Sequence, residues 1–195
     1  MRIIFVLIFC LFSQPTLAQK LLILGDSLSA AYGLQEHQGW PALLAADSPI
    51  ELVNGSISGE TTGGGLARLP ALLKQHQPTW VLIELGGNDG LRGFDPQLIA
   101  NNLQQMINLV KQHNAEPLLM QIRIPPNYGP RYGRQFSDLY PQLAKKHQIT
   151  LWPFFMDDIA INNELMLPDG IHPNSQAQPL ISEFVGKLLA ALKTD

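Results

Sequence analysis

Cysteine is almost absent from this sequence. The 195 residues contain one, Cys10, and it lies in an apolar stretch near the N-terminus. A single thiol cannot form an internal disulfide, and residues 19–195 offer no thiolate for catalysis or metal binding. The fold must therefore be stabilised by packing.

An excess of charge is also lacking. Thirteen Lys+Arg residues stand against 16 Asp+Glu, a net charge of −3, and no basic run could follow a phosphate backbone. Nucleic acid is therefore not expected as a partner. The five histidines lack His-Glu-x-x-His spacing, so we expect neither a metal nor a cofactor. Three glycines at 63–65 lack the lysine of a phosphate-binding loop, and we interpret them as a flexible turn.

The N-terminus has the pattern of a signal peptide. Arg2 precedes ten apolar residues, 3–12, and a short polar stretch then ends at Ala18. A bilayer-spanning helix needs about 20 apolar residues, so a permanent span is disfavoured. We predict cleavage after Ala18 and a periplasmic or secreted protein; an uncleaved interfacial anchor is the alternative. Residues 1–18 are then the signal peptide, and residues 19–195 form one domain.

Short apolar runs alternate with longer segments of helical spacing along residues 19–195. Continuous apolar runs suit strands that are buried on both faces. They lie at residues 21–24, 50–53, 80–83 and 117–122, with a weaker one at 149–152. The pattern predicts an α/β fold with a doubly wound sheet of about five parallel strands.

Three helices have recognisable boundaries. The segment 95–113 begins with Asp95 as N-cap and Pro96 at the first helical position, and its apolar residues recur every three to four positions. Residues 66–76 and 175–192 have similar spacing. Residues 122–132, rich in proline and aromatics, are interpreted as an ordered loop, either a groove wall or a plain connection.

Small polar residues follow the predicted strands at 25–27, 54–59 and 86–89. Ligands of parallel α/β sheets bind beyond the carboxyl ends of the strands, so these segments are expected to meet at one rim. Ser27 would be an exposed hydroxyl there, although a serine at this position also suits a helix cap. Ser29 occupies the place of the second glycine of a Gly-x-Ser-x-Gly elbow, which disfavours an ordinary α/β-hydrolase.

A serine nucleophile requires a base, and one histidine has a suitable context. His172 follows Asp169 by three residues and precedes Pro173, while Gly170 permits a tight turn. Asp169 could therefore orient one imidazole nitrogen while the other faces Ser27. A surface loop is the alternative interpretation of the same residues.

Acyl transfer also requires donors for an oxyanion. The Asn88 side chain and the backbone N–H groups of Gly59 and Ser27 are the candidates, and a simple Gly-Asn turn is the alternative at Asn88. Each feature is weak alone, whereas their order and common location after strands favour a serine hydrolase.

These motifs resemble the four blocks of the SGNH (GDSL) hydrolase family. The blocks occur in the family's order over nearly all of residues 19–195, as Gly25-Asp26-Ser27-Leu28-Ser29, Gly59, Gly86-x-Asn88-Asp89 and Asp169-x-x-His172. The similarity is strongest to its bacterial branch of multifunctional thioesterases and lysophospholipases. One departure is Glu60, where that branch usually has the shorter acid.

The resemblance implies a three-layer α/β/α, flavodoxin-like fold and a periplasmic enzyme that hydrolyses acyl esters and thioesters. Acyl-CoA thioesterase, arylesterase and lysophospholipase activities are implied. The resemblance also implies a catalytic triad, with Ser27 as nucleophile, His172 as base and Asp169 as the orienting residue. It implies an oxyanion hole formed by Ser27, Gly59 and Asn88. Residues 89–94 would form a mobile segment over an acyl groove.

Two rival hypotheses remain open. A carbohydrate acetylesterase of the same superfamily would share these motifs, and a periplasmic binding protein could retain the fold without turnover. We expect small acyl ester or thioester substrates, lysophospholipids among them, and a monomer. No substrate-binding residue is assigned, and Arg92 and Arg123 are interpreted as solvated rather than as ligands of an anionic head group.

Overall fold

The computed structural model describes residues 19–192. The predicted signal peptide, residues 1–18, lies outside the described residues. Over 19–192, no helix is both long and apolar enough to cross a membrane.

A five-stranded parallel sheet forms the centre of the molecule, as the sequence predicts. Its order is β2-β1-β3-β4-β5. The strands are β1 (Lys20–Gly25), β2 (Glu51–Asn54), β3 (Trp80–Glu84), β4 (Glu116–Met120) and β5 (Thr150–Trp152). The chain first moves outward from β1 to β2 and then returns to β3 on the other side of β1. This reversal opens a crevice beyond the carboxyl ends of β1 and β3.

Helices cover both faces of the sheet. They are α1 (Trp40–Asp47), α2 (Thr62–His76), α3 (Gly87–Leu91), α4 (Pro96–Gln112), α5 (Pro130–His147) and α6 (Ala177–Ala190). Helices α1 and α6 pack together on one face, and α2, α4 and α5 pack in a row on the other. Both faces of β1 and β3 are therefore buried, which explains their unbroken apolar sequence.

Helix α4 matches the sequence prediction closely. The side chain of Asp95 accepts a hydrogen bond of 2.9 Å from the Gln97 amide, and Pro96 occupies the first position. The buried face consists of the apolar residues that recur along the segment, Ile99, Leu103, Met106, Ile107 and Val110. A spacing of three and four residues thus places one continuous stripe against the sheet.

The interpretation of the triple glycine as a flexible turn is wrong. Residues 63–65 form the first turn of α2, where the Thr61 hydroxyl caps the helix by accepting a hydrogen bond from the Gly64 amide. A Cβ at Gly65 would collide with Leu85 Cδ1. The glycine therefore lets the helix approach the end of β3 closely.

The predicted rim loop is shorter than expected. After a short 3-10 turn at Pro126–Tyr128, helix α5 begins at Pro130, so residues 130–132 are helical. Pro130 is at the first helical position, where the missing N–H breaks no hydrogen bond.

Candidate active site

Ser27 lies on the turn that follows β1. Gly25 ends the strand opposite Glu84 of β3, and Asp26 is buried directly after it. A Cβ at Gly25 would lie 2.6 Å from Glu84 Oε2, so only glycine fits between the strands. The Glu84 carboxyl accepts hydrogen bonds from the Asp26 amide at 3.3 Å and from the Ser29 hydroxyl at 2.7 Å. Both sides of Ser27 are thereby fixed to the neighbouring strand.

The structure brings His172 and Asp169 to Ser27 from the opposite end of the chain. Ser27 Oγ lies 2.9 Å from His172 Nε2, and His172 Nδ1 lies 2.8 Å from Asp169 Oδ2. Gly170 adopts a φ of +68°, which turns the chain back so that the carboxylate faces the ring. The three side chains form the hydrogen-bonded sequence of a Ser-His-Asp triad.

The Asp169 carboxylate is held as an anion. Partial desolvation acts to raise its pKa, but hydrogen bonds from the His172 amide, the imidazole and the Ile171 amide lower the pKa to about 2. Oδ1 accepts both backbone N–H groups, at 2.9 and 3.0 Å, and Oδ2 faces the ring. The anionic carboxylate therefore favours the tautomer in which Nδ1 carries the proton and Nε2 is free to accept one.

Asn88 approaches the Ser27 turn from the end of β3. It lies in α3 beyond Gly86, whose φ of +117° turns the chain out of the strand. The Asn88 Nδ2 group donates to Asp26 Oδ2 at 3.0 Å, beside Ser27. An amide nitrogen carries two hydrogens, so the second remains available for a substrate oxygen.

Gly59 approaches the same rim from β2. The Ile57 amide donates to the Gly25 carbonyl at 3.1 Å, and the Arg92 guanidinium donates to the Gly59 carbonyl at 3.1 Å. These bonds fix residues 57–59 to the ends of β1 and α3. The segments that carry all the sequence-predicted site residues therefore meet at one edge of the sheet.

Helix α3 is anchored to α2 through the buried side chain of Asp89. Asp89 is buried and accepts from both the amide and the hydroxyl of Thr62, at 2.9 and 2.5 Å. Phe94, at the other end of residues 89–94, is 37% exposed. The mobility that the resemblance implies for residues 89–94 stays a prediction. Asp89 is buried, so the predicted motion applies to the end at Phe94.

The charged side chains around the rim pair within the protein. Arg123 forms an ion pair with Asp157 at 2.9 Å. Glu60 accepts from Arg68 Nε at 2.7 Å, and Arg68 also donates to the Gly55 carbonyl. Glu60 therefore helps hold the segment after β2 in place. In residues 19–192, no group of three or more His, Cys, Asp or Glu side chains could hold a metal ion.

Tyr32 is a site residue that the sequence analysis missed. Its ring stacks on the imidazole of His172, with ring centroids 4.1 Å apart and planes 28° apart. Nothing in the sequence indicates this contact, because the two residues are 140 positions apart. It depends on the folded arrangement of two loops.

Asp26 and Glu84 form a second missed feature, a pair of buried carboxyl groups behind Ser27. Burial raises the pKa of Asp26 to about 6, although hydrogen bonds from the Leu28 amide and Asn88 oppose the rise. Burial, together with the nearby Asp26, also raises the pKa of Glu84 well above its ordinary value. An acidic residue at the end of an otherwise apolar strand was the available signal for Glu84.

The raised pKa of Asp26 predicts that stability falls as the pH rises. An unfolded Asp ionises near pH 3.8, whereas the folded one keeps its proton to about pH 6. The stabilisation from Asp26 is thus fully present below about pH 4 and is lost as the pH rises through 6, a loss of about 2–3 kcal/mol. Urea unfolding measures this at pH 4.5 and at pH 7. Between these two pH values, the free energy of unfolding should fall less in Asp26→Asn than in the wild type.

Asp47, an exposed aspartate at the end of α1, provides the control. Asp47→Asn should retain the wild-type dependence on pH. An equally steep loss in Asp26→Asn would show that another group is responsible.

The sequence of this chain is similar to those of known esterases and thioesterases. A model of the GDSL-like Lipase/Acylhydrolase family matches residues 23–179. An arylesterase of Vibrio mimicus is 52% identical over 189 residues, with 94% of each chain covered. Thioesterase 1/protease 1/lysophospholipase L1 of Escherichia coli K12 is 57% identical over 177 residues, covering 90% of this chain and 85% of that protein.

A solved structure is similar along nearly its whole length. The psychrotrophic esterase EstA from Pseudoalteromonas sp., in a form inhibited by monoethylphosphonate, superposes with a TM-score of 0.84 at 50% sequence identity. The match covers 88% of this chain and 99% of that one.

Proposed function

The chain belongs to the GDSL-like lipase/acylhydrolase family, and we propose that it hydrolyses acyl esters and thioesters with Ser27 as nucleophile, His172 as base and Asp169 as the orienting residue. The hydrogen-bonded sequence from Ser27 Oγ through the imidazole to Asp169 Oδ2 carries this assignment. Relatives named as an arylesterase and a thioesterase support turnover rather than binding alone.

In the first half-reaction, Ser27 Oγ attacks the carbonyl carbon of the substrate. His172 Nε2 takes the hydroxyl proton, and the Asp169 carboxylate stabilises the imidazolium that forms. The carbonyl oxygen becomes an oxyanion. When the tetrahedral intermediate collapses, the alcohol or thiol leaves with the proton from His172, and the acyl group remains on Ser27.

The oxyanion is stabilised by donors that are fixed before the substrate binds. In this assignment they are the backbone N–H groups of Ser27 and Gly59 and the second Nδ2 hydrogen of Asn88. The bond from Asn88 to Asp26 supports the assignment, because it fixes the amide group without using both hydrogens. In the second half-reaction, His172 deprotonates water, which attacks the acyl-serine while the same donors hold the oxyanion. The bond between Ser27 Oγ and the acyl carbon then breaks, Oγ takes the proton from His172, and the carboxylic acid leaves.

Exposed apolar side chains surround the candidate site and favour an acyl chain longer than acetyl. Tyr32 lies on the imidazole, and Ile171 is the neighbour of His172. Ile57 precedes Gly59 by two residues, and Phe94 follows α3. These side chains are 37–50% exposed. Isolated exposed apolar groups are common, but four on the segments that carry one site offer a surface for methylene groups.

This surface predicts a preference for medium-chain substrates. Each methylene that becomes buried contributes about 0.8 kcal/mol, so octanoyl substrates should exceed acetyl substrates in kcat/KM by about tenfold or more. The measurement compares p-nitrophenyl acetate with p-nitrophenyl octanoate and includes octanoyl-CoA as a thioester, with Ser27→Ala subtracted as background. A preference for acetyl groups, together with release of acetate from acetylated sugars, would favour the carbohydrate acetylesterase alternative instead.

We also propose that residues 1–18 are a signal peptide and that the enzyme acts as a periplasmic or secreted monomer. The apolar run that ends in a polar stretch and Ala18 supports this. The mass of the exported protein tests it, since a chain that retains residues 1–18 would contradict cleavage after Ala18. Lysophospholipids are proposed among the substrates because one relative is named a lysophospholipase.

A further inference from the structure

The base of the proposed triad lies on a loop that has little support from packing. Residues 168–171 are exposed, and the side chain of Asp169 is 37% exposed. Apart from Gly170 and its two chain neighbours, no residue has an atom within 4 Å of the position that a Cβ would take at Gly170. The loop therefore cannot be held rigid by a surrounding core.

Two hydrogen bonds hold the imidazole at its edges. One is made at Nε2 to Ser27 and the other at Nδ1 to Asp169. Both act within the plane of the ring, so the ring can still tilt about the line that joins its two nitrogens. A contact on the flat face of the ring is needed to restrain that tilt.

Tyr32 makes this contact. Its ring lies nearly parallel to the imidazole, at a centroid distance of 4.1 Å. About half of the Tyr32 side chain is exposed, so it is not held in place as a core residue. An aromatic face of this kind also interacts favourably with an imidazolium, the species that forms when His172 accepts the proton.

The backbone that presents Tyr32 is unusual. Ala31 is buried with a φ of +54°, a left-handed conformation that alanine rarely adopts, and Gly33 has a φ of +76°. A Cβ at Gly39 would lie 2.8 Å from the Ala31 methyl group, so Gly39 packs tightly against the turn that carries Tyr32. Strained backbone of this type persists where the surrounding structure enforces it, often beside functional groups.

Residues 31–33 also contact the loop that carries His172. A Cβ at Gly33 would lie 3.0 Å from Leu167 Cδ1, and the Leu167 amide donates to the His172 carbonyl at 2.7 Å. The Tyr32 amide donates to the Ser27 carbonyl at 3.4 Å. Residues 31–33 thus link the nucleophile turn with residues 167–172.

We propose that Tyr32 is a positioning residue for catalysis, whose ring holds the imidazole of His172 in the plane that joins Ser27 and Asp169. The proposal rests on the proposed function of these three residues. It assigns Tyr32 no hydrogen bond to the substrate, and an acetyl substrate is too short to use the apolar surface that Tyr32 forms with Ile57, Phe94 and Ile171. The effect of its loss should therefore appear in kcat rather than in KM.

The test uses p-nitrophenyl acetate, whose acyl group is too short to depend on a groove wall. Tyr32→Ala should lower kcat by about 10–100-fold while KM changes less than about threefold, since small misalignments of reacting groups have effects of this size. Tyr32→Phe keeps the flat ring and should remain within about threefold of the wild type. Leu180→Ala is the control, because Leu180 is exposed to a similar extent on α6.

Tyr32→Leu separates the flat ring from side-chain bulk, and it also serves if the alanine variant does not fold. It should be as impaired as Tyr32→Ala, and a wild-type kcat in this variant would overturn the proposal. A proton NMR spectrum gives an independent readout. The downfield imidazole signal that is absent from His172→Ala should remain in Tyr32→Phe and should broaden by exchange in Tyr32→Ala and Tyr32→Leu.

The remaining outcomes are also decisive. A rise in KM without a fall in kcat would mean that Tyr32 binds substrate, and it would overturn the positioning role. A loss in Tyr32→Phe as large as in Tyr32→Ala would assign the effect to the hydroxyl and would also overturn it. Full activity of Ser27→Ala would instead overturn the proposed function, so the two failures are distinguishable.

Discussion

Replacing Ser27 with alanine is expected to lower kcat/KM for p-nitrophenyl octanoate by about 10⁴-fold or more. The alanine variant retains the oxyanion donors but cannot form an acyl-enzyme, so only direct attack by water remains. The side chain makes one short contact, to His172, and its loss should leave the fold intact. Circular dichroism and the melting temperature check the fold.

Ser58→Ala provides a matched control, because Ser58 is an exposed serine on the same rim. It should retain nearly full activity. A fluorophosphonate probe followed by mass spectrometry gives a direct readout, and the label should appear on Ser27 and be absent from Ser27→Ala. The monoethylphosphonate-inhibited form of the Pseudoalteromonas esterase makes a phosphonate probe a reasonable choice. Labelling of another serine, or a Ser27→Ala variant as fast as the wild type, would remove the nucleophile assignment.

Asp169→Asn is expected to lower kcat by about 10³–10⁴-fold. Oδ1 of Asp169 accepts the backbone N–H groups of Ile171 and His172, so the asparagine oxygen should occupy that position. The asparagine NH₂ group would then face His172 Nδ1 and donate to it. The imidazole would be forced into the tautomer that is protonated at Nε2, which cannot accept the proton of Ser27.

Asp158→Asn is the control for this variant, since Asp158 is an exposed aspartate that precedes the loop of residues 168–172. It should have wild-type kinetics. If Asp169→Asn stays within about tenfold of the wild type, Asp169 is not needed to set the tautomer. A pH profile from 5 to 9 should show that no shift of the optimum restores the rate of Asp169→Asn.

The centre of the sheet was predictable because β1, β3 and β4 are buried on both faces. Burial on both faces requires an apolar residue at nearly every position, and residues 21–24 and 80–83 have that composition. The weakest strand, β5, has three residues and lies at the edge. Its short length explains why its signal was faint.

Helix α5 was harder to predict because helix-breaking residues mask its pattern. It contains Gly133 and Pro141, and Pro130 stands at its start. Its buried residues are nevertheless spaced four, three and one positions apart, as Phe136, Tyr140, Leu143 and Ala144. Tertiary packing of this stripe overrides the local preference for a loop.

The candidate site could be predicted where sequence position implies spatial position. Residues directly after parallel strands must meet at one edge, which is why Ser27, Gly59 and Asn88 could be grouped before the fold was known. Asp169 and His172 are three residues apart, so their pairing is encoded locally. Tyr32 could not be assigned, because its role depends on a contact between distant segments; the acid at the end of an apolar strand marked Glu84, but its partners Asp26 and Ser29 could not be identified. The catalytic roles themselves stay predictions until the variants are measured.

The parallel pairing of β1 with β3 also governs how this enzyme can diversify. Ser27 and Asn88 follow these neighbouring strands, whose axes are about 4.8 Å apart in any hydrogen-bonded sheet. That spacing is a property of the backbone ladder, and single substitutions cannot readily change it. The exposed turn at 125–127 lies outside the ladder, and surface loops of this kind vary more readily in length and composition than strands do. Substrate range can therefore be altered there, by selection or by engineering, while the spacing of the two strands that precede Ser27 and Asn88 is inherited unchanged.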